Sequence, residues 1–403
     1  MQKSLATSFE TVQLFETAEN VSDDIIHDFR AFSKKGVFLE LNENALQALL
    51  SKESRAIRML LPFFDNTEVS LLMTTNEILS DDFLATASDE HGRAQNILYQ
   101  EGLYYNGIME MDNNSIGAFS FFENDVMGIF SNDKGNYVLG RVAKQNNLYV
   151  LYNDADLKVS HDFQCGVDDE MQNRFLDNGL DMKIDELLAE PEFSQVACEK
   201  TVNVYFETDY EMYQDLGNST TAVNNYVTGM FNVMKTIYEN ENINTAISQI
   251  FVWSTQDPYP TTGSGPALYT FGATRQDNFN GDLAHLLSTN NNGLGGRAWI
   301  GVLCSSYSSF NDSGRFAYTN INTFYSNFPT YSWTVSASTH EMGHNLGSRH
   351  THNCDAWANG PIDWCGPTYD SAYIEGNCSP VANPSSGTIM SCLLYTSDAA
   401  DDW

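Results

Sequence analysis

The feature that most constrains this chain is a group of closely spaced histidines near its carboxyl end. Residues 340–350 read HEMGHNLGSRH, the pattern H-E-x-x-H-x-x-G-x-x-H. His340 and His344 are four residues apart, so on a helix both imidazoles leave the same face and can bind one ion. Gly347 can adopt the positive φ that ends a helix, and the returning chain would bring His350 to the same point. The spacing therefore predicts a three-histidine zinc site on a helix and the turn that follows it.

Glu341 lies beside the first of these histidines. A zinc site with three protein ligands and an open fourth position is typical of catalysis rather than of structure. Zinc lowers the pKa of water in such a site, and a neighbouring carboxylate can take the proton. We expect His340, His344 and His350 to hold the metal, and Glu341 to act as general base and then as the acid that protonates the leaving amine. His352 is expected to be a loop residue and not a ligand.

Residues 387–391, which read GTIMS, follow this motif toward the carboxyl end. With both motifs in this order, the chain resembles the metzincin metalloproteases, closest in style to the reprolysin/adamalysin group. The resemblance implies a mixed α/β (α+β) catalytic domain over 198–391, with a twisted sheet and an active-site helix. It also implies that Met390 forms a Met-turn below the imidazoles, and that an edge strand near 315–322 binds substrate backbone. Thr351 departs from the reprolysin pattern, which usually has Asp after the third histidine.

The first part of the chain reads as β-rich. Strand-like segments separated by turn residues follow a helical start, which predicts an antiparallel β domain. Segments within 103–142 resemble the propeptide of the same protease group. We therefore divide the chain into a propeptide domain (1–165), an acidic linker with the maturation site (166–197) and the catalytic domain (198–391). The predicted strands of the first part are 36–42, 67–74, 103–110, 115–122, 125–130, 136–142 and 147–152.

Strands and helices alternate in the second part, which is typical of an α/β architecture. The pattern predicts strands at 201–208, 247–254, 297–303 and 315–322, and helices at 220–239, 278–288 and 334–346.

Cys165 lies at the end of the predicted propeptide, within FQCGVDD at 163–169. The Cys-Gly-Val-x-Asp core resembles the cysteine switch of matrixin propeptides. A thiolate is a strong zinc ligand, so Cys165 in the fourth position would keep the proprotein latent. The alternative is a buried or disulfide-bonded cysteine.

The cysteine pattern favours an exported protein. Disulfides are expected among the later cysteines, with a connectivity that the sequence leaves open: Cys198, Cys304, Cys354, Cys365 and Cys378. No apolar signal segment is visible at the start, so we expect an incomplete amino terminus. Residues 392–403 resemble a translated sequencing adapter and are expected to be non-native, in which case the natural chain continues past Ser391.

The charge balance excludes some partners. With 53 Asp and Glu against 20 Lys and Arg, the formal net charge is −33, which argues against nucleic acid and anionic membranes. Asp- and Asn-rich turns could bind calcium, but none has EF-hand spacing. The sequence thus predicts a secreted zinc metalloendopeptidase with protein or peptide substrates and its own propeptide as inhibitor. Two alternatives stay open: a non-proteolytic zinc-binding adhesion module, and a zinc hydrolase acting on small amides.

Overall fold

The computed structural model describes residues 9–158, 200–290, 295–321, 328–369, 371–382 and 388–391. The elements before residue 159 are β1 (Glu10–Gln13), β2 (Phe15–Thr17), α1 (Asp23–Phe32), β3 (Val37–Leu41), α2 (Glu43–Lys52), β4 (Ala56–Pro62), β5 (Glu68–Thr75), β6 (Leu79–Ser88), β7 (Ala94–Asn96), β8 (Leu103–Met109), β9 (Ile116–Phe122), β10 (Asp125–Asn132), β11 (Gly135–Arg141) and β12 (Leu148–Asn153). Those from residue 200 onward are β13 (Thr201–Thr208), α3 (Tyr210–Asp215), α4 (Thr220–Asn240), β14 (Asn244–Val252), α5 (Ser264–Arg275), β15 (Leu283–Ser288), β16 (Gly295–Ala298), β17 (Phe316–Asn320), α6 (Tyr331–Asn345) and α7 (Cys365–Tyr369).

Most strands of the first part form one ten-stranded sheet, ordered β1-β4-β5-β8-β9-β10-β11-β12-β3-β2. Every neighbouring pair is antiparallel except β1 and β4. Side chains alternate between its faces, and one face packs Leu61, Phe119, Phe130 and Tyr149 into a core of its own. The expected β-rich, antiparallel first part is confirmed.

The second sheet has seven strands in the order β16-β17-β15-β13-β14-β6-β7. The strands from β17 to β6 run parallel, whereas β16 and β7 are antiparallel to their neighbours. Helix α4 lies between the two sheets, against β14 on one side and β8 and β9 on the other, and it also packs against α6. The mixed α/β fold that the sequence predicts is therefore confirmed.

The hairpin β6–β7 comes from the first part of the chain but belongs to the second sheet. Strand β6 pairs in parallel with β14, with Leu84 opposite Gln249 and Ala87 opposite Val252. Buried residues of both parts also share one core, among them Ile78, Tyr104 and Phe206. The two halves of the chain thus share a sheet and a hydrophobic core.

The predicted helix at 278–288 is wrong. Residues 283–288 instead form β15, which is buried along its whole length between β13 and β17. A parallel strand covered on both faces is a continuous apolar run, which periodicity alone cannot separate from a buried helix. The helix of this region is α5, and Pro266 lies in its first turn, where the missing N–H costs nothing.

The predicted position of the edge strand is also wrong. Strand β17, which occupies most of 315–322, lies between β15 and β16. Among the strands that the structure describes, the edge on this side is β16. Helix α6 packs directly against both β16 and β17.

Candidate metal centre

Helix α6 carries the first two histidines through the interior. All its residues except Ser336 are buried. The helix ends where Gly347 adopts a φ of 109° and donates its N–H to the carbonyl of His344 at 2.9 Å. The N–H of Ser348 bonds the carbonyl of Gly343 at 2.9 Å, so the last turn is closed and the chain reverses. This reversal brings His350 back to the face that His340 and His344 share.

The three Nε2 atoms meet at one point. They lie 3.0 Å apart for His340 and His344, and 3.2 Å apart for each of these with His350. A tetrahedral zinc ion with Zn–N bonds of about 2.0–2.1 Å holds neighbouring nitrogens about 3.3 Å apart. All three side chains are at most 2% exposed. The histidines therefore form a group that could hold one metal ion.

The other ring nitrogens fix the tautomer. His340 Nδ1 lies 2.6 Å from the carbonyl oxygen of Ile389, and His344 Nδ1 lies 2.8 Å from that of Ser348. His350 Nδ1 lies 2.5 Å from Oε1 of Glu375. Since each acceptor needs a donor, the proton is assigned to Nδ1, and every Nε2 lone pair faces the common point. Burial also lowers the pKa of His340 to about 3, which keeps that ring neutral.

Glu341 lies beside this triangle and is fully buried. Neither of its carboxylate oxygens has a hydrogen-bond partner among the residues that the structure describes. Burial raises the pKa of Glu341 to about 8, although the charges of His350 and Arg297 oppose the rise. The carboxylate packs under Gly296 of β16, where a Cβ atom would clash with it. An acid whose pKa lies near neutrality can both accept and return a proton.

Residues 388–391 form a turn next to the histidines. The N–H of Ser391 bonds the carbonyl of Thr388 at 2.9 Å, and the carbonyl of Met390 accepts the N–H of Thr351 at 3.2 Å. The Met390 sulfur lies against Gly343 of α6, where an added Cβ atom would be 2.7 Å from it. The structure thus places Met390 against the histidine-bearing helix. Gly387 lies outside the described residues.

Two residues that support the centre have no recognisable signal in the sequence. Glu375 accepts from His350 and also from Asn353 Nδ2 at 2.9 Å. Burial raises the pKa of Glu375, but the hydrogen bonds from His350 and His352 outweigh it and hold the pKa below its usual value. Asn345 Nδ2 donates to the carbonyls of Trp299 and Phe316, at 2.8 and 3.0 Å, which ties the end of α6 to β17 and to the residue that follows β16.

The remaining predicted residues lie at different distances from the centre. His352 is buried and stacks on His350 with ring centroids 5.0 Å apart, while its Nε2 is 3.7 Å from Glu375. Among the described cysteines, one disulfide joins Cys354 to Cys378, whereas Cys304 and Cys365 carry free thiols. Cys165 and Cys198 lie outside the described residues.

Comparison with known proteins agrees with this geometry. The family model Reprolysin_5, metallo-peptidase family M12, matches residues 198–398. This chain carries a reprolysin-type metzincin domain. The domain begins near β13 and includes all three histidines, Glu341 and the turn at Met390.

The relatives of this reprolysin-type chain include snake-venom proteins. The zinc metalloproteinase-disintegrin-like BfMP of Bungarus fasciatus is 24% identical over 323 residues, which are 75% of this chain and 50% of the relative. The zinc metalloproteinase-disintegrin-like atrase-B of Naja atra is 25% identical over 290 residues, 68% of this chain and 46% of the relative. The chain thus spans about half the length of these curated relatives. Metalloproteinase-II from Bacteroides fragilis superposes with a TM-score of 0.41 at 10% identity, over 78% of this chain and 89% of that one.

Proposed function

We propose that this chain is a zinc-dependent endopeptidase, made as a latent proprotein, that hydrolyses internal peptide bonds of proteins or peptides. One observation carries the proposal. The Nε2 atoms of His340, His344 and His350 converge at 3.0–3.2 Å, and beside them lies the carboxylate of Glu341, which has no hydrogen-bond partner among the described residues.

Each residue of the centre has its own role in the proposed reaction. His340, His344 and His350 hold the zinc ion, which when bound would polarise the scissile carbonyl and lower the pKa of water. Glu341 takes a proton from the attacking water and returns it to the leaving amine, and its burial, which raises the pKa of the carboxyl, favours holding the proton between the two steps. Gly347 turns the chain so that the third histidine arrives, and Met390 supports α6 from the side of Gly343.

Strand β16 is the candidate for binding the substrate backbone. It is the edge of the second sheet on the side of α6, and an extended peptide can add to such an edge through main-chain hydrogen bonds. Gly296 of β16 lies over Glu341, so a strand added there would run past the general base. This geometry favours a protease over an enzyme for small amides, because a small amide needs no edge strand.

Latency is proposed to come from residues 1–165. Cys165 would occupy the fourth position on the metal, and cleavage within 166–197 would separate the parts; these residues lie outside the described structure. Contacts between the described parts support a propeptide that clasps the catalytic domain. Tyr331 is the first residue of α6, and its hydroxyl makes two hydrogen bonds to Gly128 in β10. The hydroxyl accepts the N–H of Gly128 at 2.8 Å and donates to the carbonyl of Gly128 at 2.9 Å. The hairpin β6–β7 extends the catalytic sheet.

An extracellular location fits the Cys354–Cys378 disulfide and the venom relatives. No helix in the described part of the chain is long and apolar enough to cross a membrane. The formal charge of −33 disfavours nucleic acid and anionic membranes as partners. Calcium binding stays a prediction from the sequence, and zinc is the cofactor that we propose.

The proposal is tested with Glu341→Gln, which removes the proton acceptor and keeps the side-chain volume. With parent and variant both cut within 166–197, we expect the variant to retain zinc, measured by elemental analysis, and to cleave casein at least a hundredfold more slowly than the parent. Glu90→Gln, at an exposed carboxylate, is the control and should cleave like the parent. The parent should also be blocked by a chelator or a hydroxamate. Undiminished casein cleavage by Glu341→Gln would refute the mechanism.

The latency proposal has a separate test. Cys165→Ala should raise the activity of the uncleaved protein at matched zinc content, because the thiol no longer competes for the metal. Cys304→Ala, at an exposed free thiol, is the control and should leave the uncleaved protein as latent as the parent. Equal activity in Cys165→Ala and the parent rules out the switch.

A further inference from the structure

Glu375 is the only charged group, within the described structure, that bonds a ring nitrogen of the three histidines. Its Oε1 lies 2.5 Å from His350 Nδ1, whereas His340 and His344 use the neutral carbonyls of Ile389 and Ser348. A hydrogen bond to a charged acceptor is roughly twice as strong as one between neutral groups. The third histidine is therefore held differently from the first two.

This contact is a hydrogen bond and not half of a second metal site. Although His350, His352 and Glu375 lie close enough to suggest one, two atoms bound to the same ion at about 2.1 Å are about 3 Å or more apart. The 2.5 Å between His350 Nδ1 and Glu375 Oε1 is too short for that. The second oxygen, Oε2, is occupied by Asn353 Nδ2 at 2.9 Å.

The chain holds this carboxylate in place from several directions. The disulfide between Cys354 and Cys378 closes the loop that contains it. The N–H of Cys354 bonds the carbonyl of Glu375 at 2.9 Å. Asn353, which holds Oε2, accepts the N–H of Asp355 through its own Oδ1 at 2.9 Å. Glu375 is 8% exposed, so its carboxylate has little freedom to turn toward water.

Such anchoring matters because His350 has no helix to orient it. His340 and His344 are fixed by α6, whereas His350 follows the turn at Gly347 and lies in irregular chain. Its ring must be oriented by contacts, which include Glu375 on Nδ1 and the stacked ring of His352.

We propose that Glu375 is a positioning residue that fixes the tautomer and ring orientation of His350 and strengthens Nε2 as a metal ligand. This inference rests on the proposed function for the identity of the metal. Partners of this kind, when removed, typically cost 10- to 100-fold in metal affinity. Glu375→Gln keeps an acceptor oxygen but loses the charge, and Glu375→Ala loses both, so the two should weaken zinc binding in that order.

The experiment measures the zinc dissociation constant of the full chain by competition with a chromogenic chelator, and the visible spectrum after cobalt(II) substitution. We expect about tenfold weaker zinc binding for Glu375→Gln, up to about 100-fold for Glu375→Ala, and a changed cobalt spectrum in both. Glu90→Gln, an exposed acid-to-amide change between β6 and β7, should bind zinc like the parent.

Zinc binding by Glu375→Ala within twofold of the parent would overturn the inference. A lower unfolding temperature of the metal-free protein with unchanged zinc affinity would show a purely structural role and overturn it as well. Neither readout depends on proteolysis. A parent that binds zinc tightly but still cleaves nothing after it has been cut within 166–197 would refute the proposed function, and the effect of Glu375 on metal affinity would stand.

Discussion

The contact between Tyr331 and Gly128 allows a direct test of how the first part of the chain holds the second. The Tyr331 hydroxyl makes two hydrogen bonds to the backbone of Gly128, and the side chain is 4% exposed. Tyr331→Phe removes both bonds without changing the packing of the ring. At about 0.5–1.5 kcal/mol for each bond, the loss is about 1–3 kcal/mol. Because each 1.4 kcal/mol is tenfold in an equilibrium constant, the two parts should separate about 5- to 150-fold more readily once the linker is cut.

The assay uses the full chain with the recognition site of a specific protease placed between residues 166 and 197. After cleavage, the protein is diluted in steps, and the concentration at which the two pieces separate is read by size-exclusion chromatography and by casein cleavage. Tyr226→Phe is the matched control, since its hydroxyl bonds Thr334 of the same helix at 2.9 Å but lies wholly within the second part. The reasoning fails if Tyr331→Phe separates at the parent's concentration, or if Tyr226→Phe weakens the complex equally.

Three further changes test the site and the fold. Gly296→Ala places a Cβ atom against the carboxylate of Glu341 and should reduce casein cleavage at least tenfold, with the zinc content unchanged. Normal casein cleavage by this variant would show that the carboxylate moves aside freely. The buried carboxylate of Glu207 lies 2.6 Å from Arg275, and Glu207→Gln removes this charged partner. The free energy of unfolding, measured in urea, should fall by about 3–5 kcal/mol, and a loss below 1 kcal/mol would contradict the prediction. Burial lowers the pKa of His285 to about 3 from an ordinary 6.5, so its contribution to stability is complete above pH 6.5 and is lost as the pH falls toward 3. Below pH 6.5, His285→Leu should therefore reduce the slope of unfolding free energy against pH by up to about 1.4 kcal/mol per pH unit. An unchanged slope would show that His285 is protonated in the folded state.

Local patterns predicted most of the elements. Alternating apolar residues located strands such as β9 and β12, and the strand at 201–208 and the helix from 220 agree with β13 and α4. The pattern failed where burial is complete on both faces, because β15 then has no alternation to read. It also missed β4 and β6, of which β6 has the polar residues Ser80, Asp81 and Asp82 at its start.

The sequence by itself determined the metal-binding motif, because its chemistry is local. His340 and His344 are one helical turn apart, and Gly347 permits the reversal that returns His350, so eleven residues contain the three nitrogens. Only the tertiary structure decided what surrounds them. Glu375 reaches His350 from 25 residues away, and β6 and β7 join a sheet whose other five strands begin after residue 200. Such contacts follow from loop closure and strand pairing across long stretches of chain, and a single sequence carries no spacing rule for either.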